Sequence, residues 1–245
     1  MPARTLSCAL LLLGGAIAQN PVPGAESAPA PRERPQSVQT PPPVHAPQPT
    51  LPPAVALEHL RQGNARLRIA LADGKPAPAP LPRPGGAGRY VAAVLVCADA
   101  GVDAAALFGL LPRDVLLVSV PGAFASADVT ALLERTAQRE RLSLCVVLTH
   151  ADCPSLAADQ GPSTAGQLFA RRSNPARDLA SARRLPLEHS QALLQKEQIL
   201  ALSESLRQLE REDRFRIVPA AVDPSTLALT FFTTRAEELP IAPVK

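Results

Sequence analysis

An apolar run over residues 91–96, Val-Ala-Ala-Val-Leu-Val, stops at Cys97 and Asp99, two residues apart. Aliphatic runs of this length without polar alternation belong to strands covered on both faces, the habit of parallel sheets. A second run over residues 144–149 ends in the same way, at His150 and Cys153. Sites in such sheets lie beyond the carboxyl ends of the strands. The two strands therefore aim Cys97, Asp99, His150 and Cys153 at one edge.

The pattern around them alternates helix and strand. Val55, Leu57, Leu60, Leu67 and Ile69 are spaced as one helical stripe, and Gly63-Asn64 in its middle predicts a break. A proline-rich loop over residues 75–88 leads into the first strand. Residues 102–110 read as an Ala-rich helix and 115–120 as the next strand. Ser126 or Asp128 is placed to cap a helix running to Arg141, with Leu132 and Leu133 inward. Residues 155–188, broken by Pro154, Pro162, Pro175 and Pro186, predict partly helical, loop-rich structure near the mouth of the site. A helix over 190–210, a strand over 215–222, a turn at Pro224-Ser225 and a last strand over 227–232 close the pattern. The sum is an α/β fold, a parallel-core sheet with flanking helices.

Composition changes this picture at the amino end. Residues 1–18 carry an early Arg4, an apolar core and an Ala16-Ile17-Ala18 end, which together read as a secretory signal peptide. That core is too short to cross ~30 Å of hydrocarbon, and no other segment of the remaining chain reads as a membrane span. Residues 19–53 are proline-rich with few large apolar residues, a disordered linker by composition. The folded domain is expected over 54–245, with a secreted or periplasmic location. A net charge of +3 and only 3% aromatic residues exclude a concentrated basic face with stacking rings, so nucleic acid is not an expected partner.

Two thiols and one imidazole are a usual zinc set, and three protein ligands leave a fourth position open. Read singly, each of these residues is as well explained as buried core, and Cys145, inside its strand, is read only as that. Without metal, Cys97 and Cys153 in an exported domain could instead form a disulfide. Arg171-Arg172 and Arg183-Arg184 could attract anions, although such clusters are usually a solvated face.

Cys97-x-Asp99 and His150-x-x-Cys153 resemble the two motifs of the β-class carbonic anhydrases, C-x-D-x-R and H-x-x-C. The segment LEHLRQGNARL over 57–67 is similar to the first helix of that family, and the tail to its closing helix, strand and hairpin. The resemblance spans about residues 54–235 and is weakest over 155–190. It implies Zn2+ on Cys97, His150 and Cys153, Asp99 as the catalytic carboxylate handling hydroxide, reversible hydration of carbon dioxide to bicarbonate, and a homodimer. The chain departs from the family at Gly101, which replaces the arginine that grips the aspartate, at Pro154, and in the turn Ser119-Val120-Pro121-Gly122. The loss of that grip implies a greater tendency for Asp99 to close the site as a fourth ligand, unless another arginine reaches in, Arg113 being a remote candidate. These departures also support an alternative, a catalytically impaired zinc-binding relative acting as an anion- or protein-binding module.

Overall fold

The computed structural model describes residues 50–157 and 161–232. Its strands are β1 at Ala92–Cys97, β2 at Val115–Val120, β3 at Leu144–His150, β4 at Arg216–Val222 and β5 at Leu229–Phe231. They form one sheet in the order β2-β1-β3-β4-β5. The first four run parallel, and β5 returns antiparallel to β4. Every residue of β1 and β3 is buried, which is why neither strand alternates in sequence. The edge strand β2 does alternate, and its Leu117 is 49% exposed.

The helices are α1 at Pro53–Ala72, α2 at Ala104–Leu107, α3 at Ala127–Glu140, α4 at Thr164–Arg183, α5 at Leu187–Leu202 and α6 at Glu204–Arg211. Helix α1 runs through Gly63-Asn64 without the expected break. Gly63 is there for close approach: an added Cβ would lie 1.8 Å from the carbonyl oxygen of Phe108. Asn64 lies beside it, and its side-chain amide donates to the carbonyls of Leu107 and Leu227. The Gly-Asn pair thus marks a packing contact and not a turn.

Helix α2 is shorter than the sequence suggests. Asp103 caps it by accepting from the N–H groups of Ala105 and Ala106, and the chain turns away at Phe108 where it meets α1. Ser126 caps α3 as expected, accepting from Val129 N–H, and Leu133 is fully buried while Leu132 is only half so.

Two segments differ more. The region expected to be loop-rich contains the 20-residue helix α4, capped by Ser163, with Pro175 inside it. Pro175 is exposed while Ser173 and Ala176 are buried, so the ring sits on the solvent side and packing overrides its poor propensity. The single helix expected over 190–210 is two. Ser203 leaves the helical region at φ −137°, accepts from Leu206 N–H to start α6, and donates to Glu134 of α3 at 2.7 Å.

Leu51, placed in the linker by composition, is buried, and its N–H donates to the carbonyl of Gly86 at 3.0 Å. The expected signal peptide and the linker up to residue 49 lie outside the described residues. Among the described residues no helix is long and apolar enough to cross a membrane.

Candidate metal centre

Strand β1 ends on Cys97 and β3 on His150. Their pairing sets Val96 level with Leu148, so the two strands end on their ligand-type residues one residue out of step, about 3.3 Å. Cys153 comes three residues after His150, at the foot of a short 3-10 turn, Pro154–Leu156. All three residues are buried, and their ligand atoms lie within 4.8 Å of one another. The two sulfurs are 3.4 Å apart.

The donor set fits a metal. His150 Nδ1 is 2.9 Å from the carbonyl oxygen of Ala151, which can only accept, so Nδ1 carries the proton and Nε2 keeps its lone pair. Among the described residues that buried Nε2 has no hydrogen-bond partner. A buried nitrogen lone pair facing two thiols is unfavourable unless something binds it. For sulfurs about 2.3 Å from a tetrahedral zinc, the expected S···S separation is about 3.8 Å, close to the spacing found.

The two thiols share their ionisation. Cys97 is lowered to about 6, chiefly by its hydrogen bond with Cys153, and Cys153 is raised by the same bond. One thiolate therefore forms easily and the second needs a cation. Gly122 N–H donates to Cys97 Sγ at 3.2 Å, and Gln191 of α5 holds the same glycine by donating to its carbonyl at 2.7 Å. Cys145, by contrast, sits in the middle of β3, and burial pushes it up to about 12. It is a core thiol, as expected from its position.

Asp99 stands at the exposed rim, with Oδ2 3.7 Å from Cys97 Sγ and 3.8 Å from Cys153 Sγ. The same oxygen accepts a short hydrogen bond from the Ser155 hydroxyl, and this bond is the main cause holding the carboxyl below its usual range. Among the described residues no arginine forms an ion pair or hydrogen bond with Asp99. Arg113 precedes β2 at the end of the sheet away from Cys97, about 20 Å off along a six-residue strand. Arg177 comes closer in another way, donating to the carbonyls of Leu156 and Ala157 and so fixing the loop that carries Ser155. Ser155, Arg177 and Gln191 carried no motif in the sequence. Only the fold brings them to the site.

No family model matches this sequence, and no curated protein matches it. Solved structures do. The β-carbonic anhydrase CcaA superposes with a TM-score of 0.52 at 12% identity, covering 72% of this chain and 91% of that one. A variant of the β-carbonic anhydrase CafD of the filamentous fungus Aspergillus fumigatus gives 0.50 at 15% identity, covering 63% and 98%. At these identities the likeness is one of fold. The chain has the β-carbonic anhydrase fold, and at the end of β1 and β3 it carries the Cys97, His150 and Cys153 group.

Proposed function

We propose that the protein is an exported, zinc-binding β-carbonic-anhydrase-like enzyme that interconverts carbon dioxide and bicarbonate. The observation that carries this is the unpartnered Nε2 of buried His150 facing Cys97 and Cys153 at paired strand ends. Cys97, His150 and Cys153 would hold the ion. Zinc, when bound, supplies the Lewis-acid chemistry that makes a nucleophile of water near neutral pH. Asp99 would accept a hydrogen bond from the attacking water and orient it. Gly122 N–H and Gln191 keep the Cys97 sulfur in place.

Export rests on the signal-like residues 1–18, and the homodimer on the family resemblance. Gly101 favours a second reading, in which the same zinc site has little turnover and the scaffold binds an anion or a protein. Metal analysis of the full chain with stopped-flow carbon dioxide hydration separates the two. One zinc per chain with hydration above background supports the enzyme, and one zinc without it supports the impaired relative. Absence of tightly held metal overturns both.

A further inference from the structure

We propose that a cavity at the start of β2 binds a small organic phosphate, with Arg83, Arg89 and Arg113 taking the phosphate group and apolar walls taking the body of the ligand. The site lies before Val115, whereas Cys97 is level with Val120 at the other end of the strand. The inference stands apart from the metal-site reading and shares no residue with it.

The cavity measures about 510 Å³, within the span of small-ligand clefts. Leu81, Pro82 and Leu111 give it apolar wall, and its charged lining is three arginines and one acid, Asp114. That acid is already engaged. Asp114 is buried and accepts from the Arg83 guanidinium, which also donates to the Gly88 carbonyl. Among the described residues neither Arg89 nor Arg113 pairs with a carboxylate. Three guanidinium charges against one carboxylate leave the cavity with a surplus of two. A phosphate monoester carries a charge of about −1.5 to −2 near neutral pH and matches that surplus, where a carboxylate supplies only half of it. The guanidinium fork also fits phosphate oxygens two at a time.

The segments that carry these side chains are held in place before any ligand arrives. The proline-rich loop is tied to α2 by Leu81 N–H, which donates to the Gly109 carbonyl at 2.8 Å. Gly88 packs so closely that an added Cβ would lie 1.7 Å from the Glu140 carbonyl oxygen, and Arg89 N–H donates to that same oxygen at 3.1 Å. The Arg89 guanidinium lies over the Tyr90 ring at 5.3 Å. On the facing wall, Asp114 N–H donates to the Leu111 carbonyl at 2.9 Å and its own carbonyl accepts from Val91 N–H at 2.8 Å, which fixes the turn that presents Arg113. A cleft prepared in this way loses little freedom when an anion enters.

The test is calorimetric titration of the full-length protein with phenyl phosphate. Saturable binding of one molecule per chain is expected, and Arg89→Gln and Arg113→Gln should each weaken it about tenfold. Both side chains are exposed, so these variants should unfold at the parental temperature. Arg83 is left intact because its loss would strand the buried Asp114. Arg171→Gln, which removes an exposed arginine of α4, should leave the affinity within about twofold, since a diffuse surface charge contributes little at physiological salt. Inorganic phosphate, which has nothing to lay against Leu81 and Leu111, should bind about tenfold more weakly than phenyl phosphate. Unchanged affinity in Arg89→Gln and Arg113→Gln overturns the site, as does an equal loss in Arg171→Gln or the absence of saturable binding to the parent. Equal affinity for the two phosphates overturns the assignment to an organic ligand.

Discussion

Gln191 and Gly122 form one link of a relay into the site: the glutamine amide donates to the Gly122 carbonyl at 2.7 Å, and the N–H of that glycine donates to Cys97 Sγ at 3.2 Å. Four residues on, Gln195 accepts from Ala125 N–H at 2.8 Å, so one face of α5 grips the turn after β2 at two points. Gln191→Ala leaves the buried Gly122 carbonyl without its donor and should cost about 1–3 kcal/mol in urea unfolding. It should also weaken metal binding by about tenfold, read by competition with a chromophoric chelator.

Thiol reactivity should separate the cysteines. In metal-free protein Cys97, lowered to about 6, is largely thiolate at neutral pH. Its alkylation by iodoacetamide should climb as pH rises toward 6 and level off above, because the thiolate fraction is then near its limit. Cys145, pushed up to about 12 and fully buried, should stay unlabelled in folded protein. Added zinc should protect Cys97. Peptide mass mapping after timed labelling reads all three outcomes.

Gly101→Arg supplies the guanidinium that the family motif carries at this point. The backbone there has φ +62°, so a side chain costs about 1 kcal/mol of conformational strain, with no clash to add to it. A charge-assisted bond from the new arginine would draw Asp99 outward. Stopped-flow hydration should rise about tenfold over the parent, with a thermal unfolding midpoint only slightly lower.

Gly63→Ala makes the opposite comparison, a single methyl with no room. Its Cβ would fall 1.8 Å from the Phe108 carbonyl, a backbone atom that cannot rotate away. Destabilisation of about 3 kcal/mol is expected, measured as a drop in the urea midpoint, whereas Gly85→Ala, where a Cβ meets nothing, should leave it nearly unchanged.

The strands were legible because β1 and β3 are apolar at every position, and a two-face burial writes itself directly into sequence. The clustering of Cys97, His150 and Cys153 followed from their places at the ends of those strands. What stayed hidden depends on contacts between distant segments. Gly63-Asn64 looks like a helix breaker until Phe108 is set against it. Pro175 looks like a stop until Ser173 and Ala176 are seen to face the core. Ser203 divides α5 from α6 partly through Glu134, 69 residues away. Ser155 was the costliest omission, since a serine after Cys-Pro carries no chemical signature until Asp99 is placed opposite it.

The pairing of Val96 with Leu148 has a consequence for assembly. A slip of one residue between β1 and β3 would change the stagger between Cys97 and His150 by about 3.3 Å and turn every side chain of one strand over relative to those of the other. Cation capture is thus a gauge of strand alignment: a half-formed chain, or one whose central ladder has mispaired, has no means of gathering the donors, and the ion would reward only the correctly threaded product.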